Sequence, residues 1–344
     1  MSEATYTVPG QRIGQQLGTI LKHAIRKMVI EGSGEIYKAK VNAGDTIIFR
    51  QVVPYGATAA APNTFTITAA EHLMQEGVTP PVDSLTVLDT SATVQEYGAL
   101  YGYTKRQAQL GEDPMPDWME EQLGERLGSV REVVYIGALQ GGTNRFYAGG
   151  TTRATVDEAL STNLLDRITR SLENNHADYV RDVVKATVVY GSQSLSPCYI
   201  SYTHTDARAD IERLPGFKGV EDYGSMAKVH ERERGTVGAH RFVLSADMPK
   251  TINGATSGTL GSLKSTGGTY ADVYQMFTVA KNHWGHVSFR GLDTLDFNHI
   301  PVNKVDKSDP TGARGYVSAT FQDVGLVTNH GWGAVTEFGV SALT

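Results

Sequence analysis

The side chains of this sequence that could do chemistry fall into a few small groups. His283-Trp284-Gly285-His286 sets two imidazoles three positions apart, a start towards a zinc site. Zinc also needs a third ligand and usually an orienting carboxylate. Nothing near in sequence supplies either, so packing or surface histidines are expected. His204 and Asp206 follow a strand-like run, where α/β active sites sit. Asp206 serves equally well as a helix N-cap. The segment HERERGTVGAH carries His230, Glu231, Glu233 and His240. It reads as a solvated or intersubunit charge cluster before it reads as a metal cage. Cys198 is the only cysteine, so no internal disulfide forms. A small buried apolar role is expected for it, rather than that of a catalytic thiol.

The standard catalytic wordings are missing. The sequence has no GxxxxGK followed by Ser or Thr, no GxGxxG, no GxSxG elbow and no HExxH. The expectation is a protein that is not an enzyme, with no cofactor and no metal. The enzyme alternative is a hydrolase built on His204 and Asp206 or on the 230–240 cluster.

What would position such groups is a chain of 344 residues, about two domains' worth, with 40% hydrophobic and 20% charged residues. The formal net charge of −6 argues against a dedicated nucleic-acid binder. The opening MSEATYTVPG lacks the apolar core of a signal peptide, and no run approaches the ~18 apolar residues of a membrane span. A soluble protein made in the cytoplasm is expected.

Residues 11–29 have helical spacing at Ile13, Leu17, Ile20, Leu21, Ala24 and Met28, with Arg12, Lys22, Arg26 and Lys27 on the exposed side. A turn at Asn42-Ala43-Gly44-Asp45 precedes strand residues Ile47, Phe49, Gln51 and Val53. The clearest element is the helix over 117–140, with Asp117 as cap and Glu120 three residues on. Its stripe is Met119, Leu123, Leu127, Val130, Val134 and Ala138, and Gly141-Gly142 ends it. Its span is roughly 36 Å. The second half predicts helices at 155–174, 176–185 and 205–213. Strands are expected at Cys198–Tyr202, Arg241–Ser245, Phe277–Ala280, Tyr316–Phe321 and Gly333–Val340. Residues 253–268 read as a mobile surface loop.

Residues 76–104 pose the main problem. The composition suits one long strand. Yet Leu85, Val87, Asp89, Ser91, Thr93, Gln95 and Tyr97 on one side, and Thr86, Leu88, Thr90, Ala92, Val94 and Glu96 on the other, give no clean apolar face. The simplest picture is a long hairpin with a broad tip over 57–75, which needs another surface because it lacks the apolar stripe to dock wholly on its own core.

With that element order, the sequence resembles the major capsid proteins of tailed bacteriophages, an α+β, HK-ninety-seven-like fold, in the branch typified by N-four-like phages. The resemblance rests on LMQEGVTPPVDSLTVLDTSATVQEYGALYGYT (73–104), LQGGTNRFYAGG (139–150), GTVGAHRFVLSADMP (235–249) and DPTGARGYVSATF (309–321), in that order. It departs where Thr236 and Val237 stand in place of an acidic residue, and the 253–268 loop has no counterpart.

The resemblance implies an N-terminal arm (1–34), an extended hairpin or E-loop (35–104), a P-domain (105–150), an A-domain (151–299) and closing strands (300–344). It implies hexamers and pentamers of this chain in an icosahedral virion shell around double-stranded DNA, assembled in the bacterial host cytoplasm. The further partners are a separate scaffolding protein, a portal, a possible decoration protein and weakly held DNA, with no membrane. Intersubunit contacts are expected at Arg12, Lys22, Arg26, Lys27, Phe49, Arg50, Tyr55, Glu76, Glu96, Tyr97, Arg232 and Glu233. Another self-assembling shell or tail protein is the structural alternative.

Overall fold

The structure is a computed structural model that describes residues 28–40, 44–74, 76, 77, 79, 82–110, 115–185, 191–223, 228–289, 295–305 and 307–343. The expected basic helix face at Arg12, Lys22, Arg26 and Lys27, and the turn residues Asn42 and Ala43, lie outside the described residues.

Four α-helices appear among the described residues: α1 (Lys105–Leu110), α2 (Met115–Gln140), α3 (Thr162–Asn174) and α4 (Arg208–Glu212). The 26 residues of α2 span about 39 Å. It begins two residues earlier than expected. Pro116 falls in the first turn, where no N–H is needed, and Asp117 lies inside that turn, not at the cap. Leu123 and Leu127 are buried as the spacing predicts. Further on, the buried residues are Tyr135, Ile136 and Leu139, not Val134 and Ala138. Eight residues on from Leu127 the helix has turned about 800°. Its buried face has therefore rotated, because it meets a different partner.

Those partners are two sheets. In the first, β13 (Trp284–Phe289) pairs in parallel with β1 (Glu35–Ala39) and antiparallel with β15 (Arg314–Val327). β15 also takes β4 (Gln95–Thr104) on one edge and β14 (Asp296–Ile300) on the other, both antiparallel. The second sheet runs β5 (Arg145–Tyr147), β16 (Gly333–Phe338), β12 (Val273–Val279), β7 (Gly191–His204), β10 (His240–Ser245), β9 (Glu233–Val237) and β8 (Lys218–Gly219). β6 (Val180–Lys185) adds to β7, and β11 (Lys250–Thr251) to β12. A separate ribbon joins β2 (Thr46–Val52) to β3 (Val87–Thr93).

The second sheet is covered on both faces, which explains the unbroken burial of β12. On one face Leu164, Leu165, Ile168 and Leu172 of α3 pack with Tyr199, Phe242, Met276 and Phe338. On the other, Tyr135, Ile136 and Leu139 of α2 pack with Ile200, Phe277, Val335 and Trp284. The front half of α2 covers the first sheet, through Leu123, Leu127, Tyr103, Val317, Ala319 and Phe321.

Three local expectations are corrected. The segment expected as a helix at 176–185 contributes β6, whose backbone pairs with β7. α3 starts at Thr162, not 155, because the Ser161 hydroxyl caps it by accepting the Leu164 N–H at 3.3 Å. The 253–268 loop is tied down. The buried Asp272 carboxylate accepts N–H groups of Asn253 and Thr266, both at 2.9 Å, and Leu263 joins a small core with Val156, Ala255 and Val273.

Candidate interaction surface

The ribbon and its continuation are best built from the interruption at Val94. In β3 the less exposed residues are Leu88, Thr90 and Ala92, followed by buried Val94, all even-numbered. In β4 they are Tyr97, Ala99, Tyr101 and Tyr103, all odd. The chain changes partner between them, from β2 to β15, and the inward side changes with it. The segment is therefore not one strand polar on both faces. It is two strands, each with an inward side, offset by one residue.

The ribbon leaves the body at its base, where Val94 N–H bonds Asp45 C=O at 3.0 Å. Its inner side is set by Phe49, whose ring meets Tyr37 of β1 edge-on with centroids 4.9 Å apart. Its outer side carries cross-strand pairs. Thr46 and Thr93 hydroxyls are 3.1 Å apart, and the Arg50 guanidinium grips Asp89 at 2.8 and 2.9 Å. That fork holds the Asp89 carboxyl below its ordinary range, chiefly through the hydrogen bond. Ile48 and Val52 share this side and are 61% and 55% exposed.

Beyond the ribbon lies a lobe, described over 53–74 and 82–86, with a neck that needs glycine. Gly56 has φ +79°, and a Cβ there would meet the Thr66 carbonyl at 2.4 Å. The lobe exposes Phe65, Ile67, Leu73, Met74, Val82 and Leu85. Ten of the 21 exposed large hydrophobics among the described residues fall between Ile48 and Val87. Exposed apolar side chains are thus concentrated in this one segment. Residue type alone did not single these positions out; their signal was apolar residues in a stretch of no fixed period.

The other expected contact residues divide. Arg50, Tyr55, Glu76 and Glu96 are exposed, and Arg232 is half-buried. Phe49 turns inward, as above. Tyr97 stacks on Phe321 at 5.2 Å inside its own chain. Glu233 is 6% exposed and accepts from the Tyr223 hydroxyl at 2.7 Å and the Val229 N–H, with Arg241 3.5 Å away. It is an internal charge, neutralised by its own subunit, and not a surface contact.

The chemically suggestive groups do not converge. His204 caps the turn after β7, its Nδ1 accepting the Asp206 N–H at 3.0 Å, and burial pushes its pKa down. Asp206 accepts from Lys264 Nζ at 2.7 Å and the Tyr274 hydroxyl at 2.8 Å. These bonds outweigh burial and hold its carboxyl low. His240 is buried between α3 and β7, near Thr169 and Ser201, with its pKa pushed down to about 4 by burial. His230 accepts the Arg232 N–H, and Glu231 is exposed. His283 meets the Asn329 carbonyl at 2.8 Å, while His286 points at Asp323, 3.4 Å away. Burial pushes the Cys198 thiol up to about 11, against the needs of a nucleophile. Among the described residues no three His, Cys, Asp or Glu side chains are placed to hold a metal, and no helix is long and apolar enough to cross a membrane.

Charge is instead spent at the junction of α2 with its surroundings. Asp323 of β15 is fully buried and takes hydrogen bonds from Tyr135 at 2.5 Å and Arg131 at 2.9 Å. Arg131 also reaches Glu31 at 3.3 Å. Glu132, 1% exposed, accepts the N–H groups of Val29 and Ile30 at 3.0 and 3.2 Å. Burial raises its pKa against those two bonds. The entering chain at 29–31 is thus fixed to the long helix.

No protein-family profile and no curated protein sequence matches this chain. Solved structures do. The capsid asymmetric unit of Cyanophage Pam1 superposes with a TM-score of 0.63 at 11% identity, covering 100% of each chain. The capsid of Ralstonia phage GP4 gives 0.62 at 11% identity, covering 100% of this chain and 99% of that one. The head structure of Helicobacter pylori bacteriophage KHP40 gives 0.61 at 9% identity, covering 96% of each. The fold is that of phage capsid subunits, α+β and HK-ninety-seven-like, over essentially the whole chain.

Proposed function

We propose that this chain is the major capsid protein of a tailed bacteriophage, a non-enzymatic structural subunit whose copies form the shell around the genome. The observation that carries the reading is the end-to-end match to capsid subunits. The exposed lobe supports it, because its apolar surface calls for a partner and identical neighbours provide one.

Contacts of this kind need not be individually strong. Non-obligate interfaces are no more apolar than ordinary surface and carry hydrogen bonds and water. A subunit tied to several neighbours gains through multivalency, and closed symmetry repeats each contact. Hexamers and pentamers in an icosahedral virion shell, assembled in the bacterial cytoplasm, follow as the arrangement. We assign intersubunit roles to Arg50, Tyr55, Glu76, Glu96 and Arg232, and to Arg12, Lys22, Arg26 and Lys27 of the arm. A net charge of −6 suits a shell that must let packaged double-stranded DNA slide, with the basic arm giving weak, salt-sensitive contact. A separate scaffolding protein, a portal and a possible decoration protein complete the set of partners.

The test is electron microscopy and sedimentation of the protein, expressed alone and with the products of the flanking genes. Closed icosahedral particles are expected. A small oligomer in both settings would refute the reading.

A further inference from the structure

The hairpin lobe does not hang free: it returns to its own subunit at two points. Asn63 and Asn329 exchange side-chain amides, Asn63 Nδ2 donating to Asn329 Oδ1 at 2.7 Å and Asn329 Nδ2 to Asn63 Oδ1 at 2.8 Å. Beside them Phe65 stacks on His176, with ring centroids 5.1 Å apart and planes 24° from parallel.

The receiving side is built for this contact. Asn329 is 6% exposed, and its Oδ1 also accepts the Gly331 N–H at 3.0 Å, which fixes the amide's orientation. Gly331 has no side chain where one would collide; a Cβ there would lie 2.2 Å from Asn63 Nδ2. His176 is held out towards Phe65 by a left-handed backbone, φ +55°. The receiving residues come from the end of α3 and from the turn between β15 and β16, so they are rigidly placed.

The contact is also weak enough to break. It consists of one amide pair and one exposed stack, and Phe65 stays 40% exposed within it. The lobe's remaining apolar side chains, Ile67, Leu73, Met74, Val82 and Leu85, gain nothing from it and stay exposed. The lobe is thus held through Asn63 and Phe65 while its other exposed apolar side chains stay unused.

We propose that this contact is a latch: the free subunit keeps its lobe at home through Asn63–Asn329 and Phe65–His176, and association with a second copy requires the latch to open. The proposal rests on the shell reading above for the identity of the partner, but not for the latch itself. Its consequence is a subunit whose lobe is held in place by its own residues until a neighbour replaces that contact.

The test uses the full chain with Phe65→Cys and His176→Cys, and a short reducible bis-methanethiosulfonate cross-linker. Cys198 is 2% exposed and stays out of the reaction. Rapid cross-linking within one chain is expected. The linked protein should stay small by sedimentation, and reduction should restore association. Failure of the intrachain link, or linked chains that associate as readily as reduced ones, would overturn the latch. Sedimentation is run with and without the products of the flanking genes; if reduced and wild-type chains both stay monomeric in both settings although the link forms, the shell reading fails instead, and the requirement for opening fails with it. As a second measure, Asn63→Ala should raise the rate of protease cleavage within the lobe about tenfold. An unchanged rate would count against the latch.

Discussion

Tyr135 of the long helix donates its hydroxyl hydrogen to Asp323 of β15 across 2.5 Å, deep in the interior. Asp323 keeps its charge there because of its donors. Burial pushes its carboxyl up, while the hydrogen bonds from Tyr135 and Arg131 help to bring it net below its usual value. The pair joins α2 to the strand that runs from one sheet towards the other. Tyr135→Phe removes one donor and leaves the ring packing intact. The expected loss is about 1–3 kcal/mol of stability, because the carboxylate left behind is still buried. Chemical denaturation of the variant measures it; an unchanged midpoint would mean that Asp323 is satisfied without Tyr135.

Acid should weaken the fold through two buried histidines. His240 and His283 have their pKa values pushed down to about 4 by burial, against about 6.5 in an unfolded chain. As pH falls below about 6.5 the unfolded state takes up protons first, so stability declines until the folded state also protonates near 4. Each site contributes a loss of at most roughly 3 kcal/mol over that window. His240→Gln keeps hydrogen-bonding groups near Thr169 and Ser201 and should remove about half of the part of the decline that these two sites cause. Urea midpoints at pH 7, 5.5 and 4 give the comparison, and parallel curves for the variant and wild type would contradict it.

The two faces of α2 should respond very differently to substitution. Leu127 is 2% exposed and packs with Val317, Ala319 and Phe321. Leu127→Ala should cost about 2–5 kcal/mol through lost burial and a cavity. Val133, on the same helix, is 54% exposed. Val133→Lys should change subunit stability by less than about 0.5 kcal/mol. A shift in association from Val133→Lys, without a shift in melting, would identify that side of the helix as a contact between copies.

Deleting residues 57–74 should separate folding from assembly. The deleted piece contributes no residue to the buried clusters, and the ribbon above its base is closed by Val53 N–H to Thr86 C=O at 2.9 Å. The melting transition should stay close to that of the full chain while particles disappear from electron micrographs. Normal particles from the deletion variant would refute the role given to the lobe.

Much of the body was legible in the residues. Leu123 and Leu127 at i, i+4 define a helix whatever it packs against. The runs at Cys198–Tyr202, Arg241–Ser245 and Phe277–Ala280 name strands of the second sheet, because a strand buried on both faces is apolar at most positions. The 176–185 segment misled because a short apolar run fits either period, and β7 decides between them.

The candidate surface was less legible. Glu233 looked like a surface charge, because nothing local reveals that Tyr223, Val229 and Arg241 close around it. Asn63 and Asn329 are 266 residues apart, and no spacing rule connects them.

Local sequence determined many of the helices and strands and that a long hairpin exists, since periodicity and turn residues act over a few positions. Only the tertiary structure decided which side of each strand faces inward. Residues 88–94 pack on their even positions and 97–103 on their odd ones, because the chain leaves β2 for β15 at Val94. Strand periodicity is two, so a change of partner with a one-residue offset erases the apolar face from any single reading. The apolar side chains were present throughout, and their common direction came from the partner strands.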